Sequence, residues 1–204
     1  MGEPEIVLDE VSFVIAGTDE AGRGPLAGPV VAAAAILSTE QRAMLLEMGL
    51  RDSKKLTESK REILFEKICE FGVVWAAQAA SPRRIDAINI LQASLWCMKR
   101  SVERLSVRPA LVLVDGNKPV PSLSVRQKCV IKGDDRVPAI AAASVIAKVL
   151  RDRAMLVLDR VYPDYGFAAH KGYPSARHRD ILLKIGPSPV HRLSFRGVSS
   201  EICK

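Results

Sequence analysis

Apolar residues in the first half of the chain come in short blocks, each closed by a polar or glycine-rich break. FVIAGT (13–18) and PVVAAAAIL (29–37) are nearly continuous apolar runs joined by a Gly/Pro-rich connection, and they read as strands. The segment 40–48 predicts a short helix, and Thr57 is placed to N-cap another over about 58–70, because a hydroxyl there takes a backbone N–H that a helix start leaves unpaired. GVVWAAQAA (72–80) predicts a third strand. From 84 to 105 the period becomes helical, with Ile85, Ile88, Leu91, Leu95 and Met98 recurring at helical spacing. ALVLVD (110–115) reads as a short strand buried on both faces, and CVIK (129–132) as a fifth strand. AIAAASVIAKVLRDRAMLVLDRV (139–161) predicts a long helix whose run of alanines suits close packing on a sheet, and about 175–184 predicts a shorter one. The tail from Gly186 contains two prolines and reads as irregular, with Leu193 and Phe195 as the residues that pin it to the body.

Short loops allow the first three strands to pair antiparallel, while a crossover helix over 84–105 calls for a parallel partner. The expected fold class is α/β: a mixed five-stranded sheet flanked by helices, with a small C-terminal helical segment. A length of 204 residues suits one domain, with a core over about 13–160 and an appended segment over about 161–204.

Composition changes this picture little. Apolar residues make up 48% and charged residues 26%, an ordinary globular balance. No stretch reaches the roughly 20 apolar residues of a membrane span, and no secretory leader pattern opens the chain, so a cytoplasmic protein without a membrane partner is expected. Cys69, Cys97, Cys129 and Cys203 are too dispersed for a zinc or redox motif and are expected as reduced thiols. The net charge of +7 fits a polyanionic partner without requiring one.

The acids change it more. Asp19 and Glu20 follow the first strand, Asp115 ends the fourth before Gly116-Asn117, and Asp134 follows the fifth in Ile131-Lys132-Gly133-Asp134. With strands one, four and five side by side, these four carboxylates converge, and converging carboxylates repel unless a cation neutralises them. Hard oxygen donors favour Mg²⁺ or Mn²⁺, which points to phosphodiester chemistry with two cations. Single strand-end aspartates more often cap turns, and Asp135 stands as an alternative to Asp134. Asp152, between Arg151 and Arg153, reads as a solvated ion pair on a helix. Asp19 and Glu20 on a regular strand would face opposite ways, so both reach one site only if the strand ends or bulges there.

TDEAGRGPLAGPVVAAA, DSKKLT, INILQAS, LVDGN, VIKGDDRVPAIAAASVIAKVLRD, FAAHKGYPSARH and GPSPVHRLSF follow one another in this order. Together they resemble bacterial ribonuclease HII, over about residues 13–196. The resemblance implies a ribonuclease H-like fold and a Mg²⁺- or Mn²⁺-dependent endonuclease acting with two ions. Its implied substrates are RNA/DNA hybrids and duplex DNA holding single ribonucleotides, incised on the 5′ side to leave 3′-hydroxyl and 5′-phosphate ends. It implies Asp19, Glu20, Asp115 and Asp134 as catalytic metal ligands, the Lys-Gly-Asp context favouring Asp134 over Asp135 and Asp152. It also implies that Gly22, Arg23 and Gly24 read the ribonucleotide together with Tyr173 of the Gly172-Tyr173 pair.

Further substrate contacts are expected from Lys54 and Lys55 before a helix start, from Asn89 on the minor-groove side, and from Lys148 toward phosphate. His170, Lys171, Arg177 and His178 around Tyr173 are phosphate candidates in the same way as Lys54 and Lys55. Ribonuclease HIII, which usually carries an extra N-terminal domain, fits less well, because little chain precedes Phe13. A monomer is expected, and the tail shows no sliding-clamp peptide.

Overall fold

The computed structural model describes residues 14–198. Phe13, Cys203 and the last part of the tail read for a clamp peptide lie outside the described residues. Strands β1 (Ile15–Ala21) and β2 (Val30–Ile36) pair antiparallel, from Ala16↔Ile36 to Ala21↔Val31. Strand β3 (Val74–Ala80) lies antiparallel on the outer side of β2. Strand β4 (Leu111–Asp115) runs parallel to β1, and β5 (Arg126–Val130) parallel to β4. The order β3-β2-β1-β4-β5 is the mixed five-stranded sheet expected, with the parallel strands reached by crossovers.

The helices are α1 (Thr39–Glu47), α2 (Glu58–Glu70), α3 (Pro82–Ile88), α4 (Ile90–Glu103), α5 (Gly133–Arg136), α6 (Pro138–Val161), α7 (Phe167–His170) and α8 (Ala176–Ile185). Thr57 caps α2 as predicted, accepting from Lys60 N–H. Alanines make the layers possible. On one face Ala33 and Ala35 meet Ala141, Ala142 and Ala143 of α6. On the other, Ala32 and Ala34 meet Ala93, Cys97 and Met98 of α4. Small side chains on both sides let two helices press on the same central strands, and the close packing is what fixes their positions. A third cluster, with Leu26, Ala27, Met155, Phe167 and Leu182, fastens the C-terminal segment to the loop after β1.

Three expectations need correction. The helix foreseen over 84–105 is two helices, broken at Asn89 with φ 63°. Asparagine tolerates this left-handed backbone, and its side chain caps α4 by accepting from Gln92 N–H at 3.0 Å. The apolar period continues through the break, which hid it. The fifth strand lies at Arg126–Val130 rather than 129–132. It is a polar edge strand, paired through its backbone, so its side chains gave no apolar signal. In the tail, Phe195 packs inward but Leu193 is 54% exposed. The anchor is Asp86, whose carboxylate accepts from Leu193 N–H, Ser194 N–H and Ser194 Oγ.

Candidate active site

Parallel pairing brings the C-terminal ends of β1, β4 and β5 to one edge, the usual place for a site in an open α/β sheet. The pairing of β1 with β4 stops at Thr18↔Val114, so Asp19 and Asp115 follow as the next residues of neighbouring strands. Asp134 sits in the first turn of α5, just beyond β5. One oxygen from each of Asp19, Asp115 and Asp134 can be chosen so that all three lie within 4.8 Å of one another.

The three are held differently. Asp19 is buried, and its Oδ1 accepts from Glu20 N–H at 2.7 Å. Its Oδ2 is buried without a hydrogen-bond partner. Asp115 Oδ1 accepts from Gly133 N–H at 2.8 Å. Asp134 Oδ2 lies 3.3 Å from Lys54 Nζ. Burial, followed by the charges of Glu20 and Asp115, holds the Asp19 carboxyl well above the usual range, against a smaller opposing pull from the Ser144 hydroxyl. Burial and then Asp115 raise Asp134, against Lys54. Burial is the largest influence on Lys54 and lowers it, yet Asp19, Asp134 and Asp52 together leave its ammonium pKa raised.

Glu20 is where the strand-end expectation meets the structure. Strand β1 neither ends nor bulges at the acids but continues to Ala21, with Asp19 opposite Ala33 and Glu20 opposite Ala32. Side chains therefore keep alternating. Asp19 lies on the α6 face, while Glu20 lies on the α4 face, 3.3 Å from Arg23 Nη1. Burial raises its carboxyl, Arg23 opposes this, and Asp115 adds to it, while Glu20 in turn raises Asp19, so Glu20 is felt by two of the other acids.

The alternative acids separate as well. Asp52, Asp134 and Asp135 form a second grouping that shares Asp134. Asp135 is engaged by Lys55 at 2.6 Å. Asp152 is not solvated as expected: it is buried, 2.8 Å from Lys148 and 3.7 Å from both Arg61 and Arg151. It stands on the stripe of α6 that faces the protein, where an ion pair is enclosed.

The Gly-Arg-Gly turn faces Tyr173. A Cβ on Gly24 would sit 3.7 Å from the tyrosine Cε1. Gly22 has φ +98°, and any side chain there would run into Arg151 and the Pro29 carbonyl. Gly172, at φ +80°, lies so close that a Cβ would be 2.7 Å from the Ala27 carbonyl oxygen, and Leu26 N–H donates to its own carbonyl at 2.8 Å. Only glycine fits such approaches. Tyr173 is 42% exposed, with Arg151 and Lys148 at 5.6 and 5.8 Å from its ring centroid. Arg23 projects to solvent from the same turn.

The other candidates divide. Lys54 and Lys55 reach the acids, and Lys148 lies between Asp152 and Tyr173. Asn89 caps α4 through its Oδ1, and the residue is exposed. His178 is buried completely and cannot meet a phosphate; its Nδ1 contacts the Tyr173 carbonyl at 2.9 Å. His170 reaches the Tyr165 carbonyl, Lys171 lies 3.7 Å from Glu58, and Arg177 is exposed.

Sequence reasoning missed two residues. Arg151 and Arg192 are fully buried guanidiniums serving backbone carbonyls around the turn. For Arg151 a signal exists: it stands four residues after Ala147 and four before Met155, on the buried stripe of α6. Arg192, in an irregular tail, carries no such period.

Residues 16–198 match the family described as Ribonuclease HII. The ribonuclease H2 of Pyrococcus horikoshii OT3 is 28% identical, with a TM-score of 0.76 over 90% of this chain and 94% of that one. The ribonuclease HII solved in complex with PCNA from Archaeoglobus fulgidus is 31% identical, with a TM-score of 0.71 over 84% of this chain and 87% of that one. Bst-RNase HIII, solved with Mn²⁺, shares the fold at 19% identity and a TM-score of 0.73, over 92% of this chain and 68% of that one.

Proposed function

This chain belongs to the ribonuclease HII family, an endonuclease family for the RNA strand of RNA/DNA hybrids, and we propose that its finer task is incision at single ribonucleotides embedded in duplex DNA. On this reading it works as a bacterial-type ribonuclease HII rather than HIII, as a monomer and a single catalytic unit. The cut falls 5′ of the ribonucleotide and leaves 3′-hydroxyl and 5′-phosphate ends. The observation that carries the reading is one strand end shared by two devices: Asp19 on β1 faces two further carboxylates, and three residues later the backbone turns against Tyr173.

The donor set fits a hard divalent cation. It is all carboxylate oxygen, one buried oxygen lacks a partner, and raised carboxyl pKa values record a repulsion that a cation relieves. We assign Asp19, Asp115 and Asp134, with Glu20 from the other face, to hold Mg²⁺ or Mn²⁺, two ions during catalysis. Bound cations supply Lewis acidity toward the water nucleophile and the departing 3′ oxygen.

The chain's own groups do the rest. Lys54, Lys55 and Lys148 offer ammonium groups to backbone phosphates; Lys54, held charged by the acids, leads the strand toward them. The bare backbone of Gly24 lets a ribose approach closely beside Tyr173, Gly22 makes the turn that packs against Arg151 and carries the chain there, and the 2′-hydroxyl is the one group that separates RNA from DNA at that point. The Tyr173 ring closes the other side of that gap as a stacking surface. Arg23 contributes charge at the mouth, and Asn89 a contact from the α3–α4 break.

The test is strand scission on three duplexes: all-DNA, RNA/DNA, and DNA with one ribonucleotide, each with Mg²⁺, Mn²⁺ or chelator. Cleavage of the latter two with cation alone is expected. Scission of the all-DNA duplex at a comparable rate contradicts the reading.

A further inference from the structure

The residues that would read the ribonucleotide are not self-supporting, and their support converges on one short stretch of the tail. Arg192 is completely buried, and its guanidinium donates only to backbone carbonyls of the loop after β1. Nη2 reaches Gly22 O at 2.6 Å and Pro29 O at 3.1 Å, Nη1 reaches Arg23 O at 3.0 Å, and Nε reaches Gly28 O at 3.0 Å. Backbone bonds run beside them, from Arg192 N to Leu26 O and from Gly28 N to Val190 O, each 2.8 Å. A buried cation whose partners are neutral carbonyls is a costly way to stabilise a fold. What five fixed donors in one plane provide is a set distance between several carbonyls.

The preceding residue braces the other side of the gap. His178 Nδ1 faces the Tyr173 carbonyl at 2.9 Å, so that nitrogen carries the proton. Its Nε2 must then accept, and His191 Nε2, 3.0 Å away, must donate. That leaves His191 Nδ1 to accept from Ser188 N–H at 2.9 Å and from Ser188 Oγ at 2.8 Å. Gly172 N–H donates to His170 Nδ1 at 3.1 Å, so the His170 proton lies on Nε2, toward Tyr165 O. One set of neutral tautomers accommodates these contacts, with the two Ser188 donors sharing the single lone pair of His191 Nδ1. Burial favours these neutral forms, and with the neighbouring His178 it pulls His191 down to about 4.

We propose that His191 and Arg192 are positioning residues for ribonucleotide selection: Arg192 fixes the Gly22–Gly24 backbone, His191 through His178 fixes Tyr173, and their adjacency in the chain sets the width of the gap between them. The proposal rests on the assignment of that gap to reading the ribose. A duplex with one ribonucleotide presents a single 2′-hydroxyl and hence one productive register. A continuous RNA strand offers a ribose at every register, so it tolerates a gap that has drifted.

The test compares kcat/KM on a single-ribonucleotide duplex with kcat/KM on a long RNA/DNA hybrid. Arg192→Lys keeps the charge and loses the fork, and it should lower the first by about 100-fold and the second by less than about 10-fold. His191→Phe keeps a ring beside Tyr165 and Phe167 but loses all three hydrogen bonds, and it should shift the ratio the same way by about 10-fold. The ratio is read, not the rate, so lost stability alone does not mimic the effect; if Arg192→Lys yields no folded protein, His191→Phe decides. Equal losses on both substrates, or none, overturn the proposal while leaving the ribonuclease reading intact. Wild-type protein that cuts hybrids but leaves the single-ribonucleotide duplex whole overturns the assignment of the gap, and the brace with it.

Discussion

The carboxylate edge and the Gly-Arg-Gly turn sit at the same strand end, yet they are built in opposite ways. At the edge, groups of like charge are held close by sheet register, and one buried oxygen of Asp19 has no partner. At the turn, backbone carbonyls are served by two buried guanidiniums, Arg151 and Arg192. The first region is left unsatisfied by the protein itself, which is what a site for cations and charged substrate requires. The second is tied by many hydrogen bonds from these guanidiniums to its carbonyls, although Arg151 Nη1 is itself buried without a hydrogen-bond partner.

The largest effect should come from breaking the unsatisfied edge. Asp19→Asn is expected to lower cleavage by about 1,000-fold or more, with binding to an RNA/DNA duplex changed far less, as read by single-turnover cleavage beside a binding titration. Full activity in this variant would remove Asp19 from the site. Next comes the braced turn. Gly172→Ala places a methyl against the Ala27 carbonyl at a left-handed φ, so it should destabilise the fold by about 1–3 kcal/mol and cut single-ribonucleotide cleavage by about 100-fold. An alanine variant with wild-type melting and turnover would show that the approach is not needed. Tyr173→Phe keeps the stacking surface and loses one hydroxyl; a loss of about 10-fold is expected on the single-ribonucleotide duplex, and unchanged turnover there counts against its role.

The smallest effect is in stability, and its sign is distinctive. Asp19, Glu20 and Asp134 have raised carboxyl pKa values in the folded protein. Above the ordinary carboxyl range and below those raised values, the folded state holds protons that the unfolded state has released. Stability therefore falls as pH rises through that window. In chelator, the melting temperature should drop by a few degrees as pH rises above the ordinary carboxyl range, Asp19→Asn should flatten the drop, and Mg²⁺ should reverse it. A melting temperature that rises with pH in chelator contradicts the repulsion.

Much of this was legible in the sequence because it is periodic. Apolar blocks located four strands and the long helix α6, and the order of short loops and crossovers gave the sheet. What escaped was aperiodic or polar. Asn89 breaks a helix without interrupting its apolar stripe, and β5 is an edge held by its backbone. The glycine turn and the tyrosine are marked by residue type, but Arg192 is marked by nothing local, since its partners lie more than 160 residues earlier in the chain. Glu20 shows the limit from the other side: adjacency in sequence places it beside Asp19, and an unbroken strand puts it on the opposite face.

The most direct measurement is cleavage of a DNA duplex carrying one ribonucleotide, with Mg²⁺ or Mn²⁺, and both new ends mapped. One nick on the 5′ side of the ribonucleotide, with a 3′-hydroxyl and a 5′-phosphate, is the expected result. A 2′,3′-cyclic phosphate end, or nicks that do not move when the ribonucleotide is moved, would contradict it.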